Sequence, residues 1–299
     1  MVEMSVTAPG SAPLRLTPRQ RAWKRARRHR GLVFGGAVLA VIVALAIFAP
    51  LLAPYDPYLQ TLSERMKPPV FLGGSFAHPL GTDALGRDYL SRLLYGARVS
   101  LFIGLVAATI SALIGTTLGV LAGYFGGRVD TVITFLINVR LALPVVLVAL
   151  AVVALLGGSL TVVVSVLGLL LWDRFAVVLR SATRQVRTIE YVAAAEVLGA
   201  SLPRILYKDI MPNVANQLIV VATLEMAHAI ILEAALSFLG LGVQPPTPSW
   251  GLMISEGKAM LLFQSWLITI PGVALFLLVL AINMVGDGVR DVTTPEGRD

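Results

Sequence analysis

Three ionisable side chains lie inside a long apolar stretch in the second half of the sequence. Glu225, His228 and Glu233 fall within residues 214–241, where most other residues are apolar. Ionisable groups are costly at membrane depth, and they serve proton transfer or ion binding there. At about 100° per residue on a helix, Glu225 lies about 60° from His228 and about 80° from Glu233. We expect this broad face to line a pathway, and for Glu233 we favour a structural or gating role. The alternative for Glu225 and His228 is a mutual bond that serves only packing.

Motifs of the common enzyme classes are missing from the sequence. It has no cysteine, no G-x-x-x-x-G-K-[ST] phosphate loop and no H-E-x-x-H pair. The histidines (His29, His78 and His228) are far apart in the chain, and Ser237 and Ser255 lack the context of a nucleophile elbow. We therefore expect no catalytic residue, no metal site and no cofactor bound by this chain.

Composition places the chain among polytopic membrane proteins. It is 57% hydrophobic and only 14% charged, with a mean hydropathy of +0.82, whereas soluble domains are about 45–50% apolar and about 25% charged. The net charge of +7 is concentrated in the first 30 residues. Such a tail is typical of a cytoplasmic segment facing anionic lipid, and we do not expect nucleic acid as a partner.

The hydrophobic runs predict an all-α protein with six membrane-spanning helices. The second and third spans are joined by a tight turn at 123–130, and the third is interrupted at Pro144. The predicted spans are 31–54, 99–122, a third ending near 156, 160–179, 214–241 and 264–285. The arginine excess places both termini and the 180–213 loop in the cytoplasm. The predicted organisation is a basic cytoplasmic tail (1–30), a first transmembrane helix (31–54), an external segment (55–98), a five-helix core (99–292) and a C-terminal cytoplasmic tail (293–299).

Small residues in the second span predict close helix packing. Gly115 and Gly119 have the spacing of a GxxxG motif, which lets two helix backbones approach each other. We favour packing within the chain over a subunit interface.

The 180–213 loop has the features of two short helices. Residues 191–198 favour a helix that ends at Gly199, and Ser201 is suited to cap a second helix over 202–210. Pro212 is expected to block continuation into the next span. Such a pair is either a knob that docks on a cytoplasmic partner or an ordinary helical hairpin.

The external segment contains a compact charged motif. It has the composition of a turn, which either holds the segment together as a brace or touches an external partner. Its residues are Gly81, Asp83, Gly86, Arg87 and Asp88.

The cytoplasmic loop resembles the EAA loop of permease subunits in bacterial ABC importers. That pattern is Glu-Ala-Ala, three residues, Gly, and a Pro thirteen residues later. The alanine pair, the glycine and the proline all occur here, whereas the family's glutamate falls on Ala193; Glu196 supplies a carboxylate from another part of the helix. The resemblance assigns ATPase coupling to Ala193, Ala194, Ala195, Glu196, Gly199, Ala200, Ser201, Arg204 and Pro212.

Three further blocks make the resemblance narrower. Residues 78–101, 233–251 and 283–291 resemble the C-type permease of dipeptide, oligopeptide and nickel importers, and the similarity covers residues 31–292. Two departures are Val177, where an arginine is more frequent, and Asn138, where an aspartate is usual.

The resemblance implies a type I ABC importer permease in the bacterial inner membrane. Expected partners are a homologous second permease, two cytoplasmic ATPase subunits that hold ATP and Mg, and an external substrate-binding protein. Peptides are the commonest cargo in that family, and nickel, opines and sugars remain open. The alternative function is a stand-alone channel or secondary transporter that uses the Glu225, His228 and Glu233 face.

Overall fold

The computed structural model describes residues 24–293, and this part of the chain is almost entirely helical. Most of the predicted N-terminal tail (1–23) and nearly all of the predicted C-terminal tail (294–299) lie outside the described residues. The longer helices are α1 (Arg30–Ile47), α2 (Tyr89–Phe125), α3 (Gly127–Ala142), α4 (Val145–Leu156), α5 (Leu160–Leu170), α6 (Trp172–Arg187), α7 (Glu190–Val197), α8 (Met211–Phe238), α9 (Trp250–Gly257) and α10 (Trp266–Thr293).

Five helical stretches of the described chain are long and apolar enough to cross a membrane. They are Arg30–Ile47, Tyr89–Phe125, Leu160–Arg187, Leu202–Phe238 and Trp266–Thr293. Helices α3 and α4 form a sixth crossing if they count as one broken span, bent by 81°. The predicted all-α membrane fold is confirmed, with five candidate spans in the described residues and a sixth if the bent pair α3–α4 is counted as one.

The break between α3 and α4 follows from proline chemistry. Pro144 takes the N-cap position of α4, and the residue before it, Leu143, has an extended backbone (φ −92°, ψ 124°). A proline ring disfavours helical geometry in the preceding residue, so α3 ends there. Arg140 stabilises the bend because its Nε donates to the Leu170 carbonyl at the end of α5, at 2.6 Å.

Helix α2 begins ten residues before the predicted start of the second span. The side chain of Asp88 caps the helix by accepting from the Ser91 amide at 2.8 Å. The charged residue in the first turn, Arg92, is fully buried, because it is paired with carboxylates that hydropathy does not register. The predicted boundary at residue 99 was therefore wrong for the helix.

Helices α2 and α6 pack through glycines, as the GxxxG spacing predicted. A Cβ atom at Gly119 would lie 2.6 Å from the Ala176 carbonyl oxygen, and one at Gly123 would lie 2.6 Å from the Arg180 carbonyl oxygen. These distances are too short for any side chain, so glycine allows the two backbones to touch. The contact is within the chain.

The second helix of the 180–213 loop continues through Pro212 into the next span. Residues Leu202–Arg204 are α-helical, Ile205–Ile210 form a π-helical turn, and α8 follows directly. Backbone bonds in a π turn reach five residues back, which relieves the clash between a proline ring and the carbonyl four residues earlier. The predicted block at Pro212 was therefore wrong, and Leu202–Phe238 is one helical stretch.

Candidate functional site

The 180–213 loop is packed on the ends of the membrane helices. Val192 of α7 is fully buried against Ile205 and Ile210 of the π turn. The Tyr191 hydroxyl donates to the Asp209 carbonyl at 3.2 Å and accepts from the Asn213 amide at 2.7 Å. These contacts fix α7 to the start of α8.

Gly199 ends α7 as predicted. Its backbone is left-handed (φ +75°), and the next amide, that of Ala200, bonds back to the Ala195 carbonyl at 3.0 Å. Ser201 takes the predicted N-cap position of the following helix, although its side chain makes no capping bond. Of the predicted coupling residues, Ala195 and Ala200 are half-buried, and the exposed ones are Ala193, Ala194, Glu196, Gly199, Ser201, Arg204 and Pro212.

The tip of this loop is apolar and bare. Val197 is 88% exposed and Leu198 is 85% exposed, at the end of α7 just before Gly199. Ala193 and Ala194 continue the exposed small-residue surface along α7. Exposed aliphatic side chains of this size at a helix end are suited to burial in a partner's groove.

Helix α7 also packs near the end of α2. Tyr124 of α2 packs against the same apolar cluster as Val192 and Ala195 of α7, and the Arg187 guanidinium of α6 lies 5.3 Å from the Tyr124 ring centre. Helix α7 is thereby packed against α2 as well as bonded to α8. A contact of Glu196 with another subunit stays a prediction.

A buried carboxylate forms the centre of a cluster between α6 and α8. Glu225 is 1% exposed and accepts from Arg174 Nη1 at 3.1 Å and from His228 Nδ1 at 3.2 Å. The bond between Glu225 and His228 is the one considered from the sequence. Arg174 was missed because it lies on another helix and 51 residues away in the sequence. A pathway role for the cluster stays a prediction.

Glu233 belongs to a different cluster. It is fully buried and accepts from the hydroxyls of Ser237 at 2.7 Å and Ser249 at 2.9 Å. Ser249 caps α9, so Glu233 anchors the 242–260 loop to α8. The structure does not bring Glu233 to Glu225 and His228.

Across residues 24–293, no three His, Asp or Glu side chains converge as metal ligands.

The external motif is the centre of a buried ionic network. Arg87 Nε donates to Asp83 Oδ2 at 2.6 Å, and Arg92 Nη1 donates to the same oxygen at 2.5 Å. Both arginines also donate to Glu256 of α9, at 2.6 Å from Arg92 and 3.1 Å from Arg87. The network joins the start of α2 to α9. Arg92 and Glu256 were not identified from the sequence.

Asp88 belongs to a second set of polar contacts beside this network. His78 joins the Asp88 carboxylate, 2.9 Å from Nδ1, to the Glu64 carboxylate, 3.1 Å from Nε2. The Lys67 ammonium, 2.6 Å from Glu64, and then His78 hold the pKa of Glu64 below its ordinary value of 4.5.

Both glycines of the motif have a left-handed backbone that favours glycine, with φ +77° at Gly81 and +73° at Gly86. All these contacts brace the external segment from within, and an external partner for it stays a prediction.

Comparison with known proteins identifies the family. Residues 115–296 match the family described as binding-protein-dependent transport system inner membrane component. Residues 17–69 match the N-terminal TM domain of oligopeptide transport permease C. The chain belongs to the binding-protein-dependent permease family.

Relatives of this permease match it over nearly its whole length. The dipeptide transport system permease protein DppC of Escherichia coli is 42% identical over 96% of each chain. The di/tripeptide transport system permease protein DppC of Pseudomonas aeruginosa is 41% identical over 97% of this chain and 96% of its own length. The dipeptide transport system permease protein DppC of Haemophilus influenzae is 38% identical over 94% of this chain and 95% of its own length.

A solved structure shares the fold. A chain of the inward-facing MetNI methionine ABC transporter aligns with a TM-score of 0.57 at 19% identity, covering 68% of this permease and 97% of that chain. The predicted type I ABC importer fold is confirmed. The protein is a multi-pass inner-membrane permease of a binding-protein-dependent ABC importer, a system that includes ATPase and substrate-binding components. The stand-alone channel is not favoured.

Proposed function

We propose that this permease forms one half of a heteromeric pathway through which short peptides enter the cell. The cargo is inferred from the relatives, whose names specify dipeptide and di/tripeptide transport. A homologous second permease supplies the other half, and an external binding protein delivers the peptide. ATP and Mg are held by two cytoplasmic ATPase subunits.

The bare apolar tip of the cytoplasmic loop is the observation that carries the docking part of the proposal. Val197 and Leu198 present a hydrophobic knob at the end of α7, and at Ala193, one turn earlier, the family's glutamate and its polar contact are missing. Docking in this permease therefore depends on burial of aliphatic surface.

Motion of the loop reaches the membrane helices through its bonds. Tyr191 ties α7 to α8, and the apolar cluster around Val192 joins α7 to Tyr124 of α2. When ATP-bound ATPases close, the loops of the paired permeases move together and draw these helices with them. The pathway then opens outwards, and hydrolysis resets it. Such alternating access requires that the ATPases contact the two states differently.

The proposed topology places both termini and the loop in the cytoplasm. His29, which caps α1, bonds Asp291 of α10 at 3.0 Å, so the ends of the described chain lie on the same side. Arg180 and Arg184 lie near the end of α6 that leads into the loop, in agreement with the positive-inside rule.

Co-purification tests the docking with a matched pair of variants. Leu198→Glu places a charge on the knob, whereas Leu262→Glu alters an equally bare leucine (90% exposed) just before α10. We expect the ATPases to be lost from the first variant and retained in the second, with the partner permease retained in both. Retention of the ATPases by Leu198→Glu would overturn the docking assignment.

Uptake tests the cargo. The assembled complex in proteoliposomes, supplied with binding protein and ATP, is expected to accumulate a labelled dipeptide. Accumulation of nickel or a sugar in place of the dipeptide would refute peptide transport while leaving the permease role intact.

A further inference from the structure

An arginine lies at membrane depth with most of its side chain bare. Arg174 lies within the predicted fourth span (160–179), in the Leu160–Arg187 helical stretch, and its partner Glu225 is near the middle of α8. The Arg174 side chain is nevertheless 59% exposed. Because a charged group facing lipid is very costly, intramembrane arginines face water-filled cavities or polar partners. The exposed side of Arg174 therefore marks a polar face of this permease.

The Arg174 guanidinium is held on its buried side by a bond to Glu225. Nη1 donates to Glu225, whose carboxylate is buried and is also bonded by His228. This bond holds the head group at the level of Glu225 within α8, because a guanidinium anchored on a buried carboxylate cannot extend to the membrane surface. An arginine has five N–H donors, so most of its donors remain for a ligand on the open side.

The ligand that suits such a group is a carboxylate. A guanidinium binds a carboxylate through two parallel N–H···O bonds, which a lysine or glutamine cannot reproduce. We propose that Arg174 binds the terminal carboxylate of the peptide as it passes through the pathway. Glu225 and His228 are positioning residues that orient the guanidinium. This assignment rests on peptide transport as proposed above and names the contact that the peptide makes.

The test compares uptake of a dipeptide with uptake of its C-terminal amide by the assembled complex. Loss of the Arg174–carboxylate contact should reduce only the uptake of the free acid, whereas general damage to the permease should reduce both. Arg174→Gln removes the charge, and Arg184→Gln is the matched control, since Arg184 is on the same helix with an equally exposed side chain (59%). Losing a charge-assisted bond pair should lower uptake of the free acid about tenfold in Arg174→Gln. Uptake of the amide should be the same in this variant and in the wild type, and Arg184→Gln should transport both normally.

A second measurement does not depend on the binding protein, which could itself reject the amide. A dipeptide carrying a photoreactive side chain is added to the purified permease–ATPase complex. We expect it to label α6 or α8 in the wild type, to be displaced by the free dipeptide and not by the amide, and to be lost in Arg174→Gln.

Three results would overturn the assignment. One is an equal loss of acid and amide uptake in Arg174→Gln, and another is the absence of labelling on α6 and α8 in the wild type. The third is loss of the second permease from the Arg174→Gln complex, which would make Arg174 an interface residue. If the wild type takes up no dipeptide at all, peptide transport fails first and the carboxylate assignment fails with it.

Discussion

Replacing Arg92 with methionine tests whether the buried ionic network holds the external segment to the membrane helices. Arg92 is fully buried at the start of α2, and its Nη1 bonds both Asp83 and Glu256. Methionine fills much of the same volume without the charge. The two carboxylates would then share the single guanidinium of Arg87.

The expected loss of unfolding free energy follows from the two carboxylates, Asp83 and Glu256, that lose Arg92 as a partner. Removing one partner of a buried ion pair costs about 3–5 kcal/mol, because the remaining charge is uncompensated. Glu256 has a side chain that is 29% exposed, so water solvates part of the excess negative charge. We therefore expect the unfolding free energy of Arg92→Met to fall by about 3 kcal/mol, at the lower end of that range.

The assay is denaturant unfolding of the purified permease in lipid nanodiscs, followed by tryptophan fluorescence. Arg98→Met is the matched control, since Arg98 lies on the same helix, is exposed, and contacts only the Tyr95 ring at 5.6 Å among the contacts described for it. Its loss should cost no more than about 1 kcal/mol. Adding Glu256→Gln to Arg92→Met should restore about 1–3 kcal/mol, because it removes the excess charge.

Either of two results would refute this reasoning. Arg92→Met could prove no more destabilising than Arg98→Met, which would mean that the network carries no net stability. Alternatively, Glu256→Gln could add to the damage of Arg92→Met, which would mean that the two charges are not coupled.

Three further predictions concern packing and polar contacts. Gly119→Leu should destabilise the permease by about 1–3 kcal/mol, because its side chain meets the α6 backbone; Gly36→Leu, with open space around it, should unfold as the wild type does, and equal midpoints would disprove the close contact. Glu233→Ala should cost about 1–3 kcal/mol by leaving the Ser249 hydroxyl unpaired, whereas Glu233→Gln keeps an acceptor and should cost less in the same assay. Because the pKa of Glu64 is lowered in the folded state, its ionised form stabilises the protein above pH 4.5, and this contribution is lost as the pH falls through the folded pKa. Glu64→Gln should therefore be less stable than the wild type at pH 7 and equal to it in acid; a difference that persists in acid would contradict the ionic origin.

Parts of the fold and of the site could be predicted because their causes are local. Apolar runs of membrane length specify helices wherever the chain crosses the bilayer. Pro144 breaks a helix through its own ring, and Gly199 ends one through its left-handed backbone. The motif residues around Gly199 carried the family assignment for the same reason, since a pattern over twenty residues can be recognised without knowledge of the fold.

Other features needed the folded chain because they join residues far apart in sequence. Pro212 fits within a continuous helix only because a π turn precedes it, and proline chemistry alone predicted a break. Hydropathy treated Arg92 as a residue outside the membrane helix, because it does not register the carboxylates of Asp83 and Glu256 that neutralise it.

The sequence by itself determined the class of this protein, namely a helical membrane permease with a loop of recognisable pattern at residues 180–213. Only the tertiary structure decided which charges meet. It paired Glu225 with Arg174 across two helices and directed Glu233 to Ser249, although all three acidic and basic groups on α8 had shared one predicted face. The physical reason is that a buried charge is stable only beside its partner. Helix packing, set by contacts such as that of Gly119 in α2 against α6, determines which partner comes within reach.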